Sequence, residues 1–382
     1  MNQVQIMFPA NISVGTGCSS KWIGEALKDG FKKIVVVSTN PIWDTMESQI
    51  AMAMENGLKI KKVDYNWPGE PTTGYFETLR KEVSAFGPEA VVGIGGGSVL
   101  DVSKLLAALS DKTAKIDKCF GNGNLKERKI KLFCVPTTAG TGSEVSPNAI
   151  LLNDANGEKM GIISPELLPD FTLVDPDLTL SLPPKLTAET GMDALCHCIE
   201  AYMNKNAHPV VDTFALRGIV LIYKNLVKAV RDPRNRPARE AMAMASLMGG
   251  LCLGPVNTCG VHALSYGLAG KYHLPHGLAN AVLLPEVMRF NKPSSIARFS
   301  QIAKAIGLQA TRNYERNADL AIEAISALSV ACGIPQHLSE LGIKASDIPE
   351  MADMAMNVTR LLVNNPREIT REDVVGIYEA IY

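Results

Sequence analysis

The sequence predicts an α/β amino-terminal part built on a parallel sheet, followed by an all-helical carboxyl-terminal part. Short β-branched runs alternate with helical patterns in the first half, as they do in parallel sheets with crossover helices. After Pro183-Pro184, helical periods dominate. The 382 residues, 46% of them hydrophobic, suffice for two or three domains with real cores. We therefore predict one domain over residues 1–183 and a second over residues 184–382.

The elements follow in order along the chain. Continuous apolar runs, typical of strands buried on both faces, predict strands at residues 33–38, 90–94 and 131–135. Helical periods between them predict helices at residues 44–56, 71–86 and 98–108. In the second half they predict helices at residues 187–204, 209–230, 238–251, 260–270, 294–306, 318–332 and 371–382. The last of these begins with Thr370-Arg-Glu-Asp373, which predicts a capping box.

Composition excludes several classes of protein. A net charge of −1 lacks the basic excess of a nucleic-acid-binding surface. No apolar run reaches the roughly 20 residues that span a bilayer, and the first residues do not resemble a signal peptide. We therefore expect a cytoplasmic protein without nucleic-acid or membrane partners, and we expect its eight cysteines to be free thiols.

A glycine-rich turn follows the predicted strand at residues 90–94. In Gly93-Ile-Gly-Gly-Gly-Ser98, the glycines let backbone N–H groups approach a pyrophosphate, and the helix N-terminus favours its negative charge. We expect Ser98 to cap the helix and Asp101 to lie in its first turn. The turn is neither GxGxxG nor a P-loop, so a merely tight strand-to-helix turn is the alternative.

A second loop follows the predicted strand at residues 131–135. Pro136-Thr-Thr-Ala-Gly-Thr-Gly-Ser-Glu144 is crowded with hydroxyl groups and glycines. Two such loops at adjacent strand ends are able to hold opposite parts of one dinucleotide. Ordinary turn chemistry uses the same residue types and remains the alternative. The two loops favour a dinucleotide-binding function for the first domain.

Four potential metal ligands come from two separated stretches of the helical half. Asp193 and His197 are four positions apart, so a helix places them on one face. His262 and His276 bracket a predicted helix end. Three imidazoles and a carboxylate suit a divalent ion such as iron(II) or zinc, which polarises a carbonyl or stabilises an alkoxide. Separately satisfied histidines are the alternative.

These motifs resemble the iron-containing (group III) alcohol dehydrogenases, the family of lactaldehyde reductase and 1,3-propanediol dehydrogenase. The resemblance covers essentially the whole chain, and the stretches at residues 191–202 and 275–281 are highly specific in combination. It implies a dinucleotide-binding domain and an all-helical, metal-binding domain of the dehydroquinate synthase type, with the metal in the cleft. It also implies a homo-oligomer, a dimer or larger.

By motif position, the resemblance implies metal ligands at Asp193, His197, His262 and His276. The predicted cofactor contacts are Thr39, Gly96, Gly97, Ser98, Asp101, Thr137, Thr138, Thr141, Lys159 and Leu178. The implied reaction is reversible hydride transfer between NAD(P)(H) and a short primary alcohol or aldehyde. The implied metal is one divalent ion, with iron preferred and zinc or manganese as alternatives.

Two positions depart from the family pattern at the predicted reaction centre. Tyr266 stands where the family usually has a second histidine near the nicotinamide, and a phenol is a poor base at neutral pH. We predict that Tyr266, bound water or the ribose hydroxyls pass the proton. The first strand ends in Ser38-Thr39-Asn40, without the aspartate that binds the adenosine ribose in many NAD-using members. Without that carboxylate no like charge repels a 2′-phosphate, so NADP stays open beside NAD, the cofactor that the resemblance implies.

Three residues are predicted to face the substrate. Leu253 lies in a region where relatives carry other residue types, and Asn148 follows the threonine loop. His273 lies close to His276 and is able to contact a polar or anionic substrate tail. The substrates considered are lactaldehyde, 3-hydroxypropanal, simple alcohols and sulfoacetaldehyde.

Three other functions compete with this prediction. The dehydroquinate synthase group shares the fold but requires a more basic pocket, and its motifs fit less well. Glycerol dehydrogenases usually have three zinc ligands, whereas all four ligand positions are filled here. A metal- or nucleotide-binding sensor without turnover is the alternative that Tyr266 favours.

Overall fold

The computed structural model describes residues 3–155 and 157–382, which form two compact units. The sheet unit comprises Met7–Thr138 and Gly142–Thr179. The helical unit comprises Ala139–Thr141 and Leu180–Tyr382, together with residues 3–6. An α/β part followed by a helical part confirms the predicted fold class. Among the described residues, no helix combines the length and apolar character needed to span a membrane.

Parallel strands form the main sheet of the sheet unit. Its order is β1-β9-β6-β4-β2-β3, and a smaller sheet has the order β5-β8-β7. The strands are β1 Asn11–Val14, β2 Lys33–Ser38, β3 Lys59–Asp64, β4 Ala90–Gly95, β5 Gly121–Asn122, β6 Lys131–Pro136, β7 Asn148–Leu152, β8 Lys159–Ile163 and β9 Phe171–Val174. The predicted strands are β2, β4 and β6, three of the four inner strands, which lie next to one another.

Strands β2, β4 and β6 contain continuous apolar runs because both faces of the sheet are buried there. Val35 and Val37 of β2 pack in the core on one face, and Ile34 and Val36 pack in the core on the other. Both environments exclude water, so the strand shows no polar alternation. The edge strand β3 carries lysines between its apolar residues, and for this reason its sequence did not indicate a buried strand.

Helices account for most of the rest of the chain. In the sheet unit they are α1 Lys21–Lys28, α2 Asn40–Glu55, α3 Thr73–Phe86 and α4 Gly97–Leu109. In the helical unit they are α5 Pro184–Met203, α6 Pro209–Arg231, α7 Arg236–Leu253, α8 Gly260–Tyr272, α9 His276–Ala305, α10 Tyr314–Ala331, α11 Ile348–Met356, α12 Thr359–Leu362 and α13 Arg371–Ala380. The capping box predicted at Thr370 and Asp373 is present at the start of α13.

Two predictions about helix ends were wrong. Helix α4 begins at Gly97 with Gly96 as its N-cap, so Ser98 lies inside the helix and no acidic residue lies in the first turn. Helix α9 begins at His276, well before the predicted start at residue 294, and it contains two prolines and non-helical backbone angles at Ser295. Interior prolines normally end a helical pattern, and for that reason the first part of α9 was missed.

Candidate functional site

Asp193, His197, His262 and His276 come together in the helical unit. Asp193 and His197 lie one turn apart on α5, His262 lies on α8, and His276 is the first residue of α9. One ligand atom from each lies within 4.8 Å of the others. The first three residues are buried, and the His276 side chain is 30% exposed. The structure therefore assembles the four residues that the sequence indicated.

The spacing of the ligand atoms fits a bound cation. The Nε2 atoms of His197 and His262 are 3.0 Å apart. The Asp193 Oδ1 atom lies 3.6 Å from Nε2 of His262 and 3.6 Å from Nε2 of His276. Lone pairs of two imidazoles at this separation repel each other unless a proton or a metal ion lies between them. An Asp/His₃ set of this kind accepts iron(II), zinc or manganese.

The other ring nitrogen of two of the histidines has a fixed partner. His197 Nδ1 lies 3.3 Å from the carbonyl oxygen of Gly140, and His262 Nδ1 is hydrogen-bonded to the Glu200 carboxylate. Each Nδ1–H donates to its oxygen, so in the neutral imidazole it is Nε2 that presents a lone pair to the centre of the cluster. Partners of this kind orient metal-binding histidines and increase their basicity.

Glu200 is a functional residue that sequence reasoning missed. It is fully buried on α5, and besides His262 it accepts hydrogen bonds from the backbone N–H groups of Cys259 at 3.0 Å and Val261 at 2.7 Å. These bonds fix the start of α8, and hence the position of His262. A second carboxylate on the helix of Asp193 and His197, three residues after His197, was the signal available in the sequence.

Asn280 was also missed. Its side chain is fully buried on α9, one turn after His276. The amide nitrogen lies 2.8 Å from Asp193 Oδ1, 3.1 Å from His262 Nε2 and 3.2 Å from His276 Nε2. Its Oδ1 atom has no hydrogen-bond partner among the described residues. Three acceptor atoms therefore converge on one donor, which is further evidence that the centre of this cluster suits a positive charge.

The charges of the cluster are strongly coupled. Burial alone would raise the pKa of Asp193, but the neighbouring His197, His276 and His262 outweigh it and hold that pKa well below its ordinary value. Burial lowers the pKa of His197. Burial also opposes protonation of His262, but Glu200 and Asp193 raise its pKa to about 9. The carboxylate is thus ionised and available as a ligand.

The two predicted cofactor loops meet in the sheet unit. The backbone N–H of Thr137 donates to the carbonyl of Gly95 at 3.0 Å. A Cβ atom at Gly95 would lie 2.6 Å from Val99 Cβ, and one at Gly96 would lie 3.4 Å from Thr138 Cγ2. Glycine at position 95 is therefore required for α4 to pack against β4. The N-terminus of α4 lies beside the threonine loop, an arrangement suited to an anionic group.

An internal ion pair connects α4 to the threonine loop. Lys104 is fully buried, with its Nζ 3.5 Å from Asp101, 2.7 Å from Ser143 Oγ and 2.8 Å from the carbonyl of Asn148. Asp101 also accepts hydrogen bonds from the Ser143 hydroxyl and from Ile150 N at 2.9 Å. The Asp101 carboxylate is thus engaged within the protein, and it braces the loop.

The other predicted cofactor residues occupy different environments. Thr39 is the N-cap of α2 at the end of β2, the neighbour of β4. Lys159 forms an ion pair with Glu70 at 2.7 Å, and Leu178 is buried in the core on one face of the sheet. Thr141 belongs to the helical unit, as does Gly140, the partner of His197. The structure places Thr137, Thr138 and the glycine turn together.

The predicted catalytic and substrate residues are also dispersed. Tyr266 is partly buried, and its hydroxyl accepts a hydrogen bond from Arg360 at 2.7 Å. Asn148 lies on β7 in the sheet unit, and Leu253 is buried at the end of α7. His273 is exposed after α8, in a left-handed conformation with φ of 52°. Their roles remain predictions.

Buried Glu144, at the end of the threonine loop, gives a testable pH dependence of stability. Burial raises the pKa of Glu144 to about 7 from an ordinary value of 4.5. Stability is therefore full below about pH 4.5 and falls by about 3 kcal/mol as the pH rises through 7. We expect Glu144→Gln to raise Tm relative to the unmodified chain at pH 8 and to leave it unchanged near pH 4.5, by scanning calorimetry. An equal difference at both pH values would contradict this assignment.

An Asp/His₃ cluster in a helical unit, after a parallel-sheet unit with a glycine-rich turn, is the combination of the metal-dependent dehydrogenases. The family model of the iron-containing alcohol dehydrogenases matches residues 9–176, and the model of the C-terminal part of the Fe-containing alcohol dehydrogenase family matches residues 187–382. The chain therefore belongs to the iron-containing alcohol dehydrogenase family, and it is an oxidoreductase.

Individual relatives agree with this assignment. The chain is 39% identical to 1,3-propanediol dehydrogenase of Citrobacter freundii over 332 residues, 86% of this chain and 84% of the relative. A crystal structure of 1,3-propanediol oxidoreductase superposes with a TM-score of 0.96 at 33% identity, covering 100% of both chains. Sulfoacetaldehyde reductase from Bifidobacterium kashiwanohense, in complex with NAD+, superposes with a TM-score of 0.90 at 30% identity, covering 100% of this chain and 99% of that one.

Proposed function

We propose that the chain catalyses reversible, metal-dependent hydride transfer between NAD(H) or NADP(H) and a short-chain primary alcohol or aldehyde. The observation that carries this proposal is the convergence of ligand atoms from Asp193, His197, His262 and His276 within 4.8 Å. Relatives named as propanediol dehydrogenase and sulfoacetaldehyde reductase support the substrate class.

In the proposed enzyme, Asp193, His197, His262 and His276 hold one divalent metal ion, with iron preferred over zinc and manganese. Such an ion polarises a carbonyl or hydroxyl oxygen as a Lewis acid. Glu200 and the Gly140 carbonyl keep the Nε2 atoms of His262 and His197 directed at the centre of the cluster. His276, the most exposed of the four, lies on the side of the cluster that solvent reaches.

The sheet unit is proposed to hold the dinucleotide. Backbone N–H groups of Gly97 and Ser98, at the start of the 13-residue helix α4, bind the pyrophosphate. Thr137 and Thr138 contact the cofactor from the neighbouring loop, which Lys104 and Asp101 hold in place. NAD is preferred because a relative at 30% identity was solved in complex with NAD+.

Tyr266 is the proposed proton donor of the reaction. Its hydroxyl oxygen accepts a hydrogen bond from Arg360, and a phenol O–H is itself able to donate a proton to a substrate oxygen. Tyr266 follows His262 by one helical turn and therefore projects from the same face of α8.

The chain is further proposed to work in the cytoplasm as a homo-oligomer, a dimer or larger. Its eight cysteines are all buried and outside any disulfide among the described residues, as expected in a reducing compartment. Light scattering coupled to size-exclusion chromatography would report the mass of the assembly. A mass equal to one 41.1 kDa chain would refute the oligomer.

The proposed activity is tested by following absorbance at 340 nm with the metal-reconstituted protein. NADH and NADPH are each combined with propanal, lactaldehyde, 3-hydroxypropanal and sulfoacetaldehyde, with and without a chelator. We expect chelator-sensitive oxidation of NADH by at least one aldehyde. Absence of turnover with both cofactors, by protein shown to bind metal and nucleotide, would refute the proposal.

A further inference from the structure

We propose that Arg360 determines substrate specificity by binding an anionic tail, so that the preferred substrates are short aldehydes that carry a sulfonate or carboxylate group. The inference rests on the proposed function and names the substrate class of the same site. Its basis is the contact between Arg360 and Tyr266, one turn along α8 from His262.

The geometry links Arg360 to the metal cluster through a single side chain. Arg360, on α12, donates from Nη2 to the Tyr266 hydroxyl at 2.7 Å, and its guanidinium carbon lies 5.9 Å from the centre of the Tyr266 ring. Four residues of α-helix, from His262 to Tyr266, rise about 6 Å. If the carbonyl oxygen of a short aldehyde lies at the cluster, an anionic group a few bonds further along the same molecule would therefore lie towards the guanidinium.

The charge of Arg360 is available to a ligand. Its side chain is exposed, and no carboxylate of the described residues pairs with it. Neighbouring cations of the helical unit differ in this respect, since Lys271 pairs with Glu350 and Asp347, and Arg371 pairs with Asp353. A guanidinium has five N–H donors in a planar fork that matches carboxylates and oxyanions. One of these N–H groups donates to Tyr266, and the others are left to bind the anionic group of the substrate.

The same contact explains how the guanidinium is held in place. Exposed arginines lose considerable side-chain freedom when they bind a ligand. The Tyr266 hydroxyl and ring restrict Arg360 before binding, so less freedom remains to be lost. A histidine at position 266 would be a second cation when protonated and would repel Arg360. Tyrosine at this position is thus compatible with the arginine.

The test compares Arg360→Met with the unmodified enzyme on matched aldehydes. The anionic substrates are sulfoacetaldehyde and succinic semialdehyde, and the neutral ones are propanal and butanal. We expect KM for the anionic aldehydes to rise by about 10- to 100-fold, the size of a lost charge-assisted hydrogen bond. We expect kcat/KM for the neutral aldehydes to fall by a much smaller factor, because they lose only the contact of Arg360 with Tyr266, and we expect Arg360→Lys to restore part of the anionic activity.

The exposed Arg312→Met serves as the matched control, because it removes a positive charge of the helical unit elsewhere on the surface. Equal losses on anionic and neutral aldehydes, or a preference of the unmodified enzyme for the neutral ones, would overturn the inference and leave the proposed function intact. Calorimetric titration of the metal-loaded protein with isethionate, and with 1-propanol as its neutral counterpart, needs no turnover. Isethionate binding that Arg360→Met leaves unchanged would overturn it even if no aldehyde is reduced.

Discussion

Replacement of His262 by alanine should reduce kcat/KM by at least about 10³-fold and lower the bound metal well below one ion per chain. Three of the four ligand atoms would remain, but His262 Nε2 is the ligand atom that approaches both His197 and Asp193. Its loss also leaves the buried Glu200 carboxylate without its imidazole partner. Losing several kcal/mol of Lewis-acid stabilisation corresponds to a rate change of this size.

The metal content of His262→Ala would be measured by plasma emission spectrometry after reconstitution with iron(II), and the rate at 340 nm. His337→Ala is the control, because His337 is exposed at the start of a short 3-10 turn and does not contact the cluster. It should retain both the metal and the activity. A His262→Ala protein with a full metal complement and an unchanged rate would show that the cluster is not the reaction centre.

Three adjacent strands of the main sheet could be predicted from the sequence, because burial on both faces gives β2, β4 and β6 continuous apolar runs. The four cluster residues could be predicted because α5 brings Asp193 and His197 to one face and the residue types suit one ion. Glu200 and Asn280 could not, because their roles depend on contacts between helices far apart in sequence. Glu200 is 62 residues before its partner His262 on α8, and Asn280 is 87 residues after its partner Asp193.

The glycine turn shows a different limit of sequence reasoning. Serine is a favoured N-cap, so Ser98 appeared to begin the helix. In the structure, the helix already begins at Gly97, because glycine at position 95 leaves room for Val99 and lets α4 start close to the end of β4. Asp101 consequently lies in the second turn, where the buried Lys104 and Ser143 bind its carboxylate. This role of Asp101 in supporting the threonine loop depends on its contact with Ser143, which the sequence of α4 alone does not show.

Glu200→Gln is expected to weaken metal binding by about 10- to 100-fold, the usual effect of losing a partner that orients a metal-binding histidine. Glutamine has nearly the shape of glutamate, and its carbonyl oxygen is still able to accept from Cys259 and Val261. Its amide nitrogen, however, would face His262 Nδ1 as a donor. The imidazole would then carry its proton on Nε2, so the lone pair needed by the metal would be lost.

The affinity of Glu200→Gln would be measured by competition for zinc with a chromogenic chelator, and Glu189→Gln is the matched control on the same helix. Glu189 is buried but its carboxylate has no hydrogen bond to the cluster, so its variant should bind zinc as the unmodified chain does. Without metal, Glu200→Gln should keep its helical circular dichroism and a Tm within a few degrees, because the backbone bonds persist. An unchanged zinc affinity would show that His262 is oriented by packing alone, whereas loss of the fold would show that the buried charge chiefly supports α8.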